Sequence, residues 1–110
     1  MNEPQRQVLN ILLWHKGRHR AIKGVGIAHR LGQSDDRQVR LIIRQLITLG
    51  YPIASAVTAP VGFFIVETKG EAQAYMQSLR SRLIEDALRR RDFGRSAGLM
   101  LDKVVQGKLV

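Results

Sequence analysis

One stretch, Ala21 to Val66, constrains this 110-residue chain more than any other. It begins with a short apolar pair, Ala21-Ile22, and a compact helical pattern from Gly24 to Arg30 closed by Gly32. A turn at Gln33-Ser34 leads into a second helical pattern, Asp35 to Leu49. Two strand-like runs, Pro52–Val57 and Gly62–Val66, then flank Thr58-Ala59-Pro60-Val61. Helical spacing in the first two patterns, then two runs rich in β-branched and aromatic residues around a turn with Pro60 and Gly62, predict two packed helices followed by a β-hairpin.

The flanking segments extend this plan. Pro4 suits a first helical turn, and Val8, Leu9, Leu12 and Leu13 recur at helical spacing, predicting a helix from Pro4 to about Lys16. Gly17 is expected to end it as a left-handed cap. Trp14 reads as peripheral core packing or a dimer contact. In the second helix Val25, Ile27, Ala28 and Leu31 are expected inward. In the third, Val39, Ile42, Ile43, Leu46 and Leu49 form the apolar face, Ser34 is placed to cap, and Asp35 and Asp36 suit the helix dipole. Gly50 and Pro52 end that helix. Thr68-Lys69-Gly70-Glu71 is a capping box that starts a fourth helix running to about Arg91, with Met76, Leu79, Leu83 and Ala87 as its stripe and Tyr75, Ile84 and Leu88 beside it. Phe93-Gly94 is read as a break, and Ser96–Gln106 as a short further helix with Leu99, Met100, Val104 and Val105 inward. The expected fold is thus mainly α with a small β-hairpin, in the order α-β-α-α-β-β, over residues 1–69. A C-terminal helical extension follows over residues 70–110.

Charge points to the partner. Formal net charge is +9. Residues 1–50 hold nine Lys/Arg against three Asp/Glu, or +6, and residues 51–110 hold nine against six, or +3. A small basic domain favours polyanions, of which nucleic acid is the usual one. With about 100° per residue, Arg37, Arg40 and Arg44 share the face of the third helix opposite its apolar one, with Gln38 and Gln45 at the side. Arg pairs bidentately with guanine and Gln with adenine, so Arg37, Gln38 and Arg40 are the candidate base contacts. Arg44, one turn deeper, is a candidate phosphate contact, as are Arg18, Arg20 and Lys23 around the entry to the second helix, with Arg30 weaker. The hairpin turn, Thr58–Val61, carries no Lys or Arg, so it contacts DNA through backbone or meets a protein. The fourth helix carries Arg80, Arg82 and Arg89–Arg91. Its Met76, Leu79 and Leu83 are candidate dimer contacts, and a two-fold dimer would suit a palindromic site.

Residues 21–67 resemble the winged helix-turn-helix family, particularly domains like the N-terminal one of the biotin repressor, and are similar to small phage and prophage DNA-binding proteins. The resemblance is carried by Ile27-Ala28 through Leu31-Gly32, Ser34, the Val39–Ile43–Leu46 spacing, Leu49-Gly50-Tyr51-Pro52-Ile53 and Gly62-Phe63-Phe64-Ile65. It implies a major-groove reading helix at 35–49 and places base contacts at Arg37, Gln38 and Arg40. It implies no enzymatic part.

Other chemistry is not expected. With no cysteine, disulfides, thiol catalysis and cysteine-ligated zinc are excluded. His15 and His19 have a metal-ligand spacing, with His29 as a possible third, but Gly17 interrupts them and no acidic residue is near, so no metal or other cofactor is expected. Gly24-Val25-Gly26 lacks the third glycine of a dinucleotide fingerprint. Glu85-Asp86 points two ways and is poor for shared acid–base work, so an enzyme is not expected. No run approaches the roughly 18 apolar residues of a membrane span, and no signal-peptide pattern opens the chain. The expectation is a cytoplasmic, nucleoid-associated protein that binds double-stranded DNA as a homodimer, a transcriptional regulator of phage or prophage type. The alternatives are a replication-initiation or architectural DNA-binding protein, and a protein-interaction module that docks through Thr58–Val61.

Overall fold

The computed structural model describes residues 1–105, and side chains as far as Met100. The chain divides into two units, Met1–Tyr75 and Met76–Val110. Among the described residues the elements are α1 (Glu3–Leu12), a 3₁₀ turn at Arg18–Arg20, α2 (Gly24–Arg30), α3 (Arg37–Thr48), β1 (Ile53–Ala56), β2 (Gly62–Ile65) and α4 (Lys69–Val105). The molecule is mainly helical with one two-stranded antiparallel hairpin.

α1 starts at a reciprocal cap that spacing arguments did not single out. Gln5 N–H donates to Asn2 Oδ1 at 2.9 Å, and Asn2 N–H donates to Gln5 Oε1 at 3.1 Å. These two bonds satisfy donors that the first turn cannot pair internally. The helix ends at Leu12, short of the expected Lys16: the Trp14 and His15 N–H groups donate to the Ile11 and Leu12 carbonyls in a tighter last turn, and the chain then pairs with β2. Ile65 N–H donates to the His15 carbonyl at 3.0 Å, and Gly17 N–H donates to the Ile65 carbonyl at 2.8 Å. Gly17 (φ 91) is therefore no helix cap but the bend after a one-residue bridge to the sheet. Leu13 and Trp14, beyond the helix end, are exposed, Trp14 to 80%, so Trp14 is not core.

The expected strand at Ala21-Ile22 reduces to a single antiparallel bridge. Ile22 and Phe63 exchange both backbone bonds, at 2.9 and 2.7 Å. The approach is so close that a Cβ on Gly62 (φ 136) would overlap the Ile22 carbonyl, so only glycine fits there. The hairpin register pairs Ile53 with Ile65, Ala54 with Phe64, Ser55 with Phe63 and Ala56 with Gly62.

That register sends alternate residues to two faces. Ile53 and Ile65 join the main core with Val8, Leu9, Leu12, Ile27, Ala28, Val39, Ile42, Ile43 and Leu46, against which Phe63 packs. Ala54, Ala56 and Phe64 face the other way and form a small cluster with Ala21, Val66 and Tyr75. Tyr75 belongs to the second turn of α4, so the hairpin is covered on both sides.

Four further expectations change. Val25 and Leu49 are exposed, Leu49 to 56%: Val25 lies off the face of α2 that Gly24, Ile27 and Ala28 bury, and Leu49 falls at the cap beyond the last turn of α3. Ser34 does not cap α3. The cap position is Asp36, and the Arg37 N–H is taken by Asp35 Oδ1 at 3.1 Å. Phe93-Gly94 does not break α4, which continues as one helix to Val105, and Ser96–Val105 is its last part rather than a separate helix. Nothing in the sequence there prevents backbone bonding: glycine weakens a helix by about 1 kcal/mol but does not remove a donor as proline does. Leu99 and Met100 are exposed rather than inward. The side chains of Val104 and Val105, and Gln106 as a whole, lie outside the described residues.

Candidate nucleic-acid interface

α3 is oriented by its buried face. Val39, Ile42, Ile43 and Leu46 are held in the core, and this turns Arg37, Gln38, Arg40 and Arg44 to solvent. The four candidate residues on α3 are thus brought to one exposed side. Among the described residues only three ion pairs form, Arg6–Glu3, Arg40–Asp36 and Arg91–Asp92. Arg37 and Arg44 consequently carry uncompensated charge, as do Arg20 and Lys23 on the exposed approach to α2.

Arg40 is held differently from its neighbours. Its Nε donates to Asp36 Oδ2 at 2.7 Å, and its guanidinium lies over the Phe63 ring, 5.4 Å from the centroid. Asp36 is fixed in turn by close packing. A Cβ on buried Gly24 would come within 3.0 Å of Asp36 Oδ2 and 3.2 Å of Phe63, so α2, α3 and β2 converge at this point. The two Nη atoms of Arg40 make no hydrogen bond among the described residues. A guanidinium tied at Nε keeps its Nη donors for an external acceptor.

Arg18 has a structural task that its sequence position did not suggest. Its Nη1 donates to the Pro60 carbonyl at 2.8 Å, and its Nη2 donates to the Thr58 carbonyl at 2.6 Å and the Thr58 hydroxyl at 2.9 Å. The hairpin turn, which has no cation of its own, is therefore braced by one from the 3₁₀ turn. The other three phosphate candidates are exposed, but Arg18 is half-buried and its Nη donors are engaged within the chain.

Glu71 ties the same region to α4. Its Oε2 accepts the Arg18 N–H at 2.6 Å, and its Oε1 accepts the Glu67 N–H at 2.8 Å and the Thr68 N–H at 3.4 Å. Glu71 N–H returns a bond to Thr68 Oγ1 at 3.1 Å, completing the expected capping box. These backbone donors, the Arg18 amide foremost, hold the Glu71 carboxyl below its ordinary value of 4.5. The capping box was legible from Thr68 and Glu71. The Arg18 amide bond was not, since it spans 53 residues.

The remaining site questions have plain answers. His15 Nδ1 lies 2.7 Å from the Arg20 carbonyl and helps close the loop between them. No group of three metal-ligating side chains occurs among the described residues. No helix among them is long and apolar enough to cross a membrane. Met76, Leu79 and Leu83 are exposed along α4. Val57 and Val61 leave the hairpin turn with an apolar exposed edge. Comparison with protein-family models, with curated proteins and with solved structures finds no match.

Proposed function

We propose that the Met1–Tyr75 unit is a winged helix-turn-helix that binds double-stranded DNA, with α3 as the major-groove helix and the β1–β2 turn as the wing. The observation that carries this reading is the exposed side of α3. There Arg37, Gln38, Arg40 and Arg44 project from a helix whose opposite face is locked into the core, and two of the three arginines have no carboxylate partner among the described residues. Arg37, Gln38 and Arg40 read base edges, while Arg44, Arg20 and Lys23 hold phosphates. Arg40 enters the groove preoriented by Asp36 and Phe63. Arg18 serves the complex by fixing the wing. The biological role is transcriptional regulation at a specific site.

The test is a random-sequence DNA selection with the purified protein at near-physiological salt, followed by affinity measurements on enriched and random duplexes. Enrichment of a site supports sequence-specific regulation. Retention without enrichment assigns a replication or architectural role. Neutralising roughly six phosphates gives a slope of log K against log salt of about −5. A flat salt response refutes groove binding by this face.

A second reading rests on the wing. Val57 and Val61 are exposed, and the turn between them carries no cation. Such an edge suits a protein partner better than a minor groove. In that case Val61→Asp abolishes partner binding while Arg37→Ala and Arg44→Ala leave it intact.

A further inference from the structure

Among the described residues of the Met76–Val110 unit, the helix carries large apolar side chains that stand exposed. Met76, Leu83 and Phe93 are 68, 71 and 74% exposed, and Leu79 and Met100 are also exposed. Gly94 and Gly98 lie within the same helix, each with open space where a Cβ would stand. Most helical stability in water comes from tertiary packing, and each interior glycine subtracts further from it. A helix of this length and composition calls for a partner.

The spacing of its residues says which partner. Positions 76, 83, 90 and 97 are seven apart, and positions 79, 86, 93 and 100 interleave with them in alternating steps of three and four. That is the a/d repeat of a left-handed coiled coil. Six of the eight positions are apolar, and the two central ones are Asp86 and Arg90. The order is self-complementary about residue 88. Reversing the helix and pivoting it there sets Asp86 against Arg90, Leu83 against Phe93, Leu79 against Ala97 and Met76 against Met100.

We propose that α4 associates with α4 of a second copy of this chain as an antiparallel coiled coil centred at residue 88, with Asp86 of each copy paired to the partner's Arg90. This inference is independent of the DNA-binding reading. A parallel pair would put Asp86 against Asp86 and Arg90 against Arg90, like charges in a seam that excludes water, whereas the antiparallel pair neutralises all four. An unrelated partner would have no reason to match a charge order that is complementary to its own reverse. Flanking positions agree on one side: Ala87 and Gly94 are small and let the helices approach, and Arg80 on that side faces the small Gly94 position of the other copy rather than a second cation. On the other side Arg89 lies near its own copy at the solvent rim, where Glu85 stands one turn earlier and salt screens the repulsion. Ile84, Leu88 and Leu99 fall outside the seam.

The chain has no cysteine, so introduced thiols report orientation cleanly. Full-length Leu83→Cys and Phe93→Cys chains are mixed and mildly oxidised, and the unsubstituted chain is sedimented in parallel. The expected result is a dimer at micromolar concentration, with the 83-to-93 mixed disulfide dominant. Like positions stay apart because ten helical residues separate them by roughly 15 Å. Asp86→Arg should weaken the dimer at least tenfold, and adding Arg90→Asp should restore it. A monomer at tens of micromolar, a statistical mixture of disulfides, or a dominant 83-to-83 product each overturns the proposal. Both substituted positions are exposed in the single chain, and far-UV helicity checks that the variants fold.

Discussion

Arg40 and Asp36 form the one ion pair on α3 among the described residues, with Nε 2.7 Å from Oδ2 and the carboxylate close beside Gly24. The pair is separated by one helical turn and is partly exposed, so its contribution to stability is small, about 0.3–0.5 kcal/mol. Its consequence is orientation. Asp36→Ala should leave the urea midpoint nearly unchanged while reducing the preference for an enriched DNA site over random DNA. Arg40→Ala should relax the preference at one base pair by about 1–3 kcal/mol. Equal losses on every sequence would reassign Arg40 to phosphate.

Arg18→Ala removes three hydrogen bonds from a charged donor to the Thr58–Pro60 turn. Bonds of this kind contribute about 1.5–3 kcal/mol in favourable settings, and the partial exposure here places the expected loss at the lower end. Hydrogen exchange should quicken at the β1–β2 turn, with the α1–α3 core unaffected. Unchanged exchange at the turn would mean that the brace has no role.

Gly62→Ala forces a side chain into the Ile22 carbonyl at a backbone angle that alanine avoids. Strain of that type costs about 1–3 kcal/mol before the overlap is counted. The predicted outcome is the most destabilised of these variants in thermal unfolding. Gly94→Ala, in open space on α4, should instead stabilise the helix by up to about 1 kcal/mol.

Glu71 sets a pH dependence. Its carboxyl is held below 4.5 in the folded chain by bonds to the Arg18, Glu67 and Thr68 amides. A depressed carboxylate contributes stability that is fully present above its unfolded value and lost as pH falls through its folded one. Stability from this cluster should therefore hold at neutral pH and decline below about pH 4.5. Glu71→Gln should flatten that part of the acid-unfolding profile. An identical profile in the variant would remove Glu71 as its source.

Much of this was written locally. The apolar positions Val39, Ile42, Ile43 and Leu46 recur at helical spacing, and that alone fixed which side of α3 would face water and placed Arg37, Gln38, Arg40 and Arg44 there. The hairpin and the Thr68–Glu71 cap likewise needed only two runs of β-branched and aromatic residues around Pro60 and Gly62, and a four-residue signature. These signals are short-range, so a single chain of letters carries them.

What depended on tertiary structure were the contacts across long separations and the element ends they control. After α1 ends at Leu12, the His15 carbonyl and the Gly17 N–H bond to Ile65, fifty and forty-eight residues away, instead of continuing the helix. Arg18, counted among the surface cations by sequence, is turned inward onto Thr58 and Pro60, forty and forty-two residues away. Local periodicity determines which face of an element is apolar. Where that element ends, and which charged groups are consumed inside the fold, depend on backbone groups and side chains that meet only once the chain has closed on itself.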